Sequence, residues 1–181
     1  LPVGVALAAT WNTNLGYQYG EVLGSEANAR GKHVILGPGV CILRTPLNGR
    51  NFEYLTEDPY LNGQMAIGYV KGVQSMDVAP CVKHYAANNQ EIERNSIDVQ
   101  MSERALREIY LPGFEAAIKE GGAYTLMGAY NKFRGQFCTH NEYLINKVLK
   151  EEWGFDGAVV SDWGAVQNTM EAIQNGTDVE M

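Results

Sequence analysis

Short apolar runs alternate with helical stretches along this chain, and that alternation limits its fold more than any other feature. Each run is bounded by Gly or Pro, as is typical of strands buried on both faces of a parallel sheet. About six strands and five helices therefore predict an α/β fold with right-handed crossovers. The predicted strands cover Val3–Ala8, His33–Leu36, Ala79–His84, Tyr124–Ala129, Ala158–Ser161 and Asp178–Met181.

Several of the predicted helices have recognisable ends. Asp58 before Pro59 is typical of an N-cap followed by a proline in the first turn. Ser102 and Asn141 are predicted to cap two later helices, and Gly121 is predicted to end a helix at its C′ position. The first and last helices are predicted over Thr13–Ala29 and Val166–Gln174.

Two architectures fit this pattern, an open doubly wound sheet and part of an eight-stranded, TIM-like (β/α)8 barrel. No G-x-G-x-x-G or G-x-x-x-x-G-K-[ST] sequence follows a predicted strand, which weakens a nucleotide-binding open sheet. A long segment, GPGVCILRTPLNGRNFEYLTEDP, separates the second and third predicted strands. Long loops at the C-terminal ends of parallel strands are where α/β enzymes keep their sites.

Composition excludes several classes of partner. The formal net charge of -7 argues against binding to a nucleic-acid backbone, which needs clustered Lys and Arg. No apolar run approaches the roughly 18 residues that a membrane span needs. Cys41, Cys81 and Cys138 form no C-x-x-C pair and are predicted to be small buried thiols. The three histidines lack metal-ligand spacing, so we expect neither a metal nor a cofactor.

Polar side chains follow the C-terminal ends of the predicted strands. Because these ends share one rim in a barrel, the side chains are expected to converge on one pocket. Cations, amides and aromatic faces suit a neutral sugar, and glycoside cleavage needs a carboxylate at the anomeric carbon. In chain order the rim residues with this chemistry are Arg50, Lys83, His84, Arg94, Tyr130, Asp162 and Trp163.

Simpler interpretations of the same residues stay open at this point. Asp162 alone could be a helix N-cap, because an Asp after a strand most often has that role. Lys83 could form a Schiff base in an aldolase-like barrel. Met127 fits a core position better than a sugar contact on pattern alone. A sugar-binding barrel without catalytic activity is a further alternative.

Five long motifs resemble those of the glycoside hydrolase family 3 β-glucosidases and their relatives. They occur in the expected order and extend over almost the whole chain. Several long motifs in series are far more specific than one short pattern. They read GPGVCILRTPLNGRNFEYLTEDPYL, VKHYAANNQE, SERALREIYLPGFEAAIKEGG, LMGAYNKFRG and LKEEWGFDGAVVSDWGAV.

The resemblance implies a retaining, two-step mechanism without metal or cofactor, with Asp162 of SDW as the nucleophile. It implies that Arg50, Lys83, His84 and Arg94 hold the hydroxyls of the sugar being cleaved. It places Tyr130 beside the nucleophile, Trp163 as an aromatic wall and Met127 along that wall. The expected substrates are β-linked glucosides or oligosaccharides.

The resemblance also has consequences for domain organisation. Residues 1–181 are expected to form an incomplete N-terminal (β/α)8-type barrel domain. The acid/base carboxyl is expected from a second, α/β sandwich domain of the same protein, so the isolated chain is expected to be nearly inactive. The segment KHYAANNQEIERN rules out the N-acetylglucosaminidase subgroup, and Trp163 favours a glucosidase or exo-glucanase over a β-xylosidase. Monomer and homo-oligomer both stay open.

Overall fold

A computed structural model describes all of residues 1–181. Four of its strands form a parallel sheet in the order β1-β2-β4-β7, and three short strands form a second sheet in the order β3-β5-β6. The strands are β1 (Val34–Ile35), β2 (Ala79–Tyr85), β3 (Asp98–Val99), β4 (Thr125–Gly128), β5 (Lys132–Phe133), β6 (Gln136–Phe137) and β7 (Ala158–Ser161).

The chain has seven helices, two of which include π-helical segments at residues 106–110 and 143–152. The first two helices precede the parallel sheet, the next four lie between its strands and the last follows it. In chain order the helices are α1 (Gly4–Ala8), α2 (Thr13–Ala29), α3 (Pro59–Gln74), α4 (Glu103–Ala105 continuing as Leu106–Tyr110), α5 (Pro112–Lys119), α6 (Tyr143–Glu152) and α7 (Thr169–Gln174). Short 3-10 turns cover Asn51–Glu53 and Cys138–His140.

The three predicted helix caps are confirmed. Asp58 accepts a hydrogen bond from the Leu61 backbone N–H at 2.7 Å at the start of α3. The side chains of Ser102 and Asn141 likewise accept from backbone N–H groups three residues later, at 3.2 and 2.9 Å. Each cap satisfies a donor that the first helical turn leaves free.

One local prediction in the first part of the chain is wrong. Residues Val3–Ala8, predicted as a strand, form α1 instead, and the Val3 carbonyl accepts from the N–H groups three and four residues later. A six-residue apolar run is too short for its periodicity to separate the two structures. Gly121 follows the C-cap residue Glu120 of α5 and so stands at C′ as predicted, and the positive φ (69°) belongs to the next residue, Gly122.

The C-terminal end of the chain also differs from the prediction. Residues Asp178–Met181 form no regular strand and pair with β7 through one bridge, Val160 with Val179. The last helix begins at Thr169 rather than Val166, because Asn168 caps it by accepting from two backbone N–H groups. The parallel sheet therefore contains four of the six predicted strands.

The two faces of the parallel sheet bear on the two architectures that the sequence left open. Val82, Leu126 and Val159 pack with the helices in the main core of 29 buried residues. On the opposite face Cys81, Met127 and Val160 form a small cluster without any helix. A doubly wound sheet carries helices on both faces, whereas a barrel carries them only outside. The arrangement is consistent with the strands of a barrel.

Two further findings concern the cysteine side chains and the length of the helices. All three cysteines are free and buried, as predicted. No helix has both the length and the apolar character to cross a membrane.

Candidate functional site

The register of the parallel strands brings three C-terminal strand ends to one edge of the sheet. Tyr85 of β2 is level with Gly128 of β4, and Gly128 is level with Ser161 of β7. Lys83 and His84 therefore lie near the end of β2 at the edge where Asp162 follows β7. Their side chains come together as the strand pattern predicts.

Asp162 is buried, with 5% of its surface exposed. Its Oδ1 accepts a hydrogen bond from the backbone N–H of Trp163 at 2.8 Å. Its Oδ2 has no hydrogen-bond partner, although His84 Nε2 lies 3.5 Å away. One carboxylate oxygen is thus fixed by the chain itself and the other is left without a partner.

The carboxylate of Glu53 holds two of the predicted cations. Arg50 Nε donates to Glu53 Oε1, and Lys83 Nζ lies 3.1 Å from Glu53 Oε2. The side chains of Lys83 and Glu53 are only 14% and 19% exposed, so solvent screens their ion pair less than it would at the surface. Glu53 therefore fixes the position of both cationic head groups.

His84 is neutral and fully enclosed, with 1% of its surface exposed. Its Nε2 lies 2.9 Å from Arg50 Nη2, and its Nδ1 lies 3.0 Å from Tyr54 Oη. Burial, and after it the positive charges of Arg50, Lys83 and Arg94, lower the pKa of His84 well below its usual value. The contact with Asp162 is therefore not an ion pair near neutral pH.

Arg94 and Tyr130 lie on the other side of the site. The Arg94 guanidinium carbon lies 4.4 Å from the centre of the Tyr130 ring, and Arg94 Nη1 donates to Glu91 Oε2 at 2.6 Å. Tyr130 Oη donates to the Trp163 carbonyl at 2.9 Å. Burial, and after it the charge of Asp162, raises the pKa of Tyr130.

Trp163 forms part of an open, polar cavity. Trp163 is 64% exposed. The cavity has a volume of about 400 Å³ and is lined by Arg94, Asn95, Tyr130, Trp163, Gly164 and Gln167. An exposed indole beside polar donors offers an apolar face next to hydrogen-bonding groups.

Met127 lies apart from these polar groups, in the cluster with Cys81 and Val160 on the inner face of the sheet. It is 1% exposed. Its position supports the interpretation of Met127 as a core residue, packed beneath the rim.

Three residues that organise the site received no role from the sequence. Glu53 and Glu91 follow predicted strands, yet their pairing with Arg50, Lys83 and Arg94 depends on how two loops meet. Tyr54 is fully buried and reaches His84 from a separate segment. The motif GRNFEY contains both Glu53 and Tyr54, and it is the sequence feature from which their roles could have been inferred. No group of three or more His, Cys, Asp or Glu side chains is arranged to hold a metal ion.

Comparison with known proteins places the chain in a family. Residues 1–181 match the model described as the glycosyl hydrolase family 3 N terminal domain. The chain is 57% identical over 180 residues to β-glucosidase BoGH3A from Bacteroides ovatus, and this match covers 99% of the chain and 24% of that protein. It is 47% identical over 180 residues, again 99% of the chain, to an exo-α-(1→6)-L-arabinopyranosidase from Bifidobacterium longum, of which it also covers 24%.

A solved structure gives the same result for the fold. β-Glucosidase 3B from Thermotoga neapolitana in complex with α-D-glucose superposes with a TM-score of 0.98 at 51% identity, over 99% of this chain and 25% of that one. The predicted α/β fold is confirmed, and a barrel is consistent with this match. The chain spans about a quarter of the length of the proteins it matches.

Proposed function

Because this chain belongs to glycosyl hydrolase family 3, we propose that it carries the nucleophile and the sugar-binding rim of a retaining β-glycoside hydrolase. The expected reaction releases terminal, non-reducing β-D-glucosyl residues. The observation that carries the proposal is the buried Oδ2 of Asp162, which has no hydrogen-bond partner at a strand end beside His84.

Asp162 has the geometry that a nucleophile needs. It directly follows β7, whose residues 159–161 are buried, so its backbone has a rigid support. The Trp163 N–H holds Oδ1 and thereby orients the carboxylate, while Oδ2 is free to attack. A helix-capping role is not supported, because Oδ1 binds the very next N–H and α7 begins only at Thr169.

The proposed chemistry has two steps. In the first, Asp162 Oδ2 forms an ester bond to the anomeric carbon, the glycosidic bond breaks and the leaving oxygen takes a proton from a general acid. In the second, water donates a proton to the same group, now a base, and displaces the carboxylate. Two inversions at the anomeric carbon leave the product with the starting configuration.

We infer that the acid/base carboxyl comes from outside residues 1–181, in a second domain of the same protein. The neighbouring carboxylates support this inference. Glu53 is bound by Arg50 and Lys83, and Glu91 is bound by Arg94. Both carboxylates are thus already engaged by cations and are not positioned to give a proton to a leaving group.

Arg50, Lys83 and Arg94 are the proposed donors to the sugar hydroxyls. His84 was predicted to share this role, but both of its ring nitrogens are already engaged by Arg50 and Tyr54. Each of the three donors is held by one carboxylate, and each has further N–H groups available for a neutral ligand. Prior orientation by Glu53 and Glu91 reduces the conformational freedom that the side chains lose on binding. Hydrogen bonds from charged donors to hydroxyls then position the anomeric carbon over Asp162.

Trp163 and Tyr130 are the proposed apolar wall. The bond from Tyr130 Oη to the Trp163 carbonyl ties the two residues together, so the cavity wall has a fixed backbone. The exposed indole suits the C–H face of a pyranose ring. Met127 lies beneath this wall in the inner cluster, so we assign it a supporting rather than a direct role.

A related pyranoside is the second candidate substrate. The match to an exo-α-(1→6)-L-arabinopyranosidase at 47% identity favours a site that also accepts other pyranosides. β-Xylosides and the terminal residues of β-glucans are further candidates among these pyranoside substrates. A panel of aryl glycosides that differ only in the sugar would rank these substrates by kcat/KM.

The aldolase-like alternative has little support from the geometry. A Schiff-base lysine attacks as a neutral amine. Lys83 Nζ is instead engaged by the Glu53 carboxylate, at 3.1 Å. Borohydride reduction with a carbonyl substrate should leave Lys83 unmodified.

The stereochemistry of the released sugar tests the proposed function. The intact protein is mixed with an aryl β-glucoside in D2O, and the anomeric protons are followed by NMR before mutarotation is complete. β-Glucose is expected as the first product. α-Glucose as the first product would rule out the two-step mechanism, and binding without turnover would favour the non-catalytic sugar-binding barrel.

A further inference from the structure

We propose that Tyr54 selects the tautomer of His84 and thereby keeps the ring nitrogen that faces Asp162 free of a proton. Tyr54 would then be a positioning residue that acts through His84 and does not touch the sugar. The inference deepens the proposed function and rests on it, because its consequence concerns the nucleophile.

The hydrogen bonds of Tyr54 give the first argument. Tyr54 is fully buried, and its Oη donates to the backbone carbonyl of Asn88 at 3.2 Å. A carbonyl can only accept, so the single hydroxyl proton is committed to that bond. Towards His84 Nδ1, at 3.0 Å, the hydroxyl oxygen can therefore only accept. His84 must carry its proton on Nδ1.

Arg50 gives an independent argument from the other side of the ring. A guanidinium group has five N–H donors and no acceptor. Arg50 Nη2 lies 2.9 Å from His84 Nε2, so Nε2 must offer a lone pair. Both neighbours thus require the same neutral tautomer, with the proton on Nδ1 and none on Nε2.

The tautomer determines what Asp162 meets. His84 Nε2 and Asp162 Oδ2 are 3.5 Å apart, and with Nε2 unprotonated the two atoms present lone pairs to each other. Oδ2 therefore receives no hydrogen bond from His84, in agreement with its lack of any partner. A proton on Nε2 would instead bind Oδ2, weaken it as a nucleophile and displace the N–H of Arg50.

The surroundings of His84 keep this state over a wide pH range. The charged groups that act on the ring are Arg50, Lys83 and Arg94, together with Asp162, whose Oδ2 lies 3.5 Å from Nε2. Burial is the largest cause of the lowered pKa of His84, and the three cations add to it. Burial also raises the pKa of Tyr54 far above its usual value, so the phenol keeps its proton. Cys41 Sγ lies 3.2 Å from the His84 carbonyl and also neighbours the Tyr54 hydroxyl.

Neutron diffraction reads the tautomer directly. Crystals of the intact protein are exchanged into D2O and measured near neutral pH without substrate. Deuterium is expected on His84 Nδ1 and on Tyr54 Oη towards the Asn88 carbonyl, with no deuterium on Nε2. Deuterium on Nε2 in the unaltered protein would overturn the inference by itself, even if no variant can be prepared.

Tyr54→Phe removes the acceptor, and Tyr85→Phe is its matched control. Tyr85 is also fully buried, but its Oη donates to the Leu144 carbonyl at 2.8 Å, away from His84. In Tyr54→Phe the Nδ1 donor loses its partner while Arg50 still favours a proton on Nδ1, so we expect deuterium divided between Nδ1 and Nε2 and kcat/KM lowered about tenfold. Tyr85→Phe should change neither. An unchanged Nδ1 proton in Tyr54→Phe would overturn the inference.

The two proposals fail in different ways. The tautomer is measured without substrate, so it can be correct even if the released sugar shows inversion. Conversely, the NMR experiment could show a product with retained anomeric configuration while neutron diffraction finds a proton on His84 Nε2. That pair of results would leave the proposed function intact and remove the role of Tyr54. An equal loss of activity in Tyr54→Phe and Tyr85→Phe would assign Tyr54 to packing alone.

Discussion

Two glutamates in this chain each bind two cationic side chains, yet their surroundings differ. Glu53 binds Arg50 and Lys83 near the strand ends, and its side chain is 19% exposed. Glu103 binds two arginines at the surface, and its side chain is 47% exposed. The partners of Glu103 are Arg107 Nε at 2.7 Å, Arg134 Nη2 at 2.6 Å and the Tyr143 hydroxyl.

The difference lies in what each network leaves unpaired. Arg107 also binds Glu152 and Tyr143, so the surface network closes on itself and ties α4, α6 and the β5-β6 hairpin together. The network around Glu53 borders the unpaired Oδ2 of Asp162 instead. The same side-chain chemistry therefore stabilises the fold in one place and prepares a binding site in the other.

Replacing the nucleophile should give the largest effect. Asp162→Asn is expected to lower kcat/KM about 10⁴-fold, the scale associated with removing a catalytic group. The thermal unfolding midpoint should change little, because Oδ2 makes no hydrogen bond that the amide would lose. Glu152→Gln, in the surface network, is the control and should keep full activity. Comparable losses in both variants would contradict the comparison.

Removing a proposed sugar donor should have a smaller effect. Lys83→Ala is expected to lower kcat/KM roughly 10²-fold, because a charged hydrogen bond to the sugar and the positioning it provides are lost together. Steady-state kinetics on an aryl β-glucoside and on a natural disaccharide measure this change. Near-normal kinetics with the disaccharide would remove Lys83 from the site.

The two glutamates themselves provide the closest pair of variants. Glu53→Gln is expected to lower kcat/KM about tenfold, because Arg50 and Lys83 lose the charge that orients them. Glu103→Gln should leave kcat/KM unchanged. An equal effect of both changes on catalysis would show that burial does not separate the two networks.

Glu103 should affect stability modestly and in a pH-dependent way. Hydrogen bonds from Tyr143, and after it Arg107, lower the pKa of Glu103 from 4.5 to about 2. A carboxyl with a depressed pKa stabilises the fold above the unfolded value, and this contribution is lost as pH falls from 4.5 towards 2. Because the group is exposed, Glu103→Gln should lower the unfolding midpoint by a few degrees at most near neutral pH. Its deficit should shrink as pH falls through this window, and a constant deficit would contradict the assignment.

The sequence predicts the parts of this molecule that depend on local pattern. The four strands of the parallel sheet, three helix caps and the Asp162-Trp163 pair at a strand end all follow from periodicity and capping chemistry. The resemblance of the motifs to a known family adds the candidate sugar ligands. The convergence of His84 and Asp162 follows from the rule that parallel strand ends share a rim.

Features that depend on tertiary contacts are not predicted. α1 was predicted as a strand because six apolar residues have too few turns to show a helical period. The β5-β6 hairpin was missed, although Arg134-Gly135 forms its two-residue turn with both φ angles positive. Arg is an unusual residue at the first of these positions. The pairing of Glu53 with Lys83 joins residues 30 positions apart in the chain and has no local signal.

The central claim is that Asp162 forms the covalent bond to the sugar, and trapping that intermediate tests it most directly. The intact protein is incubated with a 2-deoxy-2-fluoro-β-glucoside that carries a good leaving group, digested, and its peptides are mapped by mass spectrometry. We predict one fluoroglucosyl label, on Asp162, and none in Asp162→Asn. A label on Glu53, Glu91 or any other carboxylate would contradict the account.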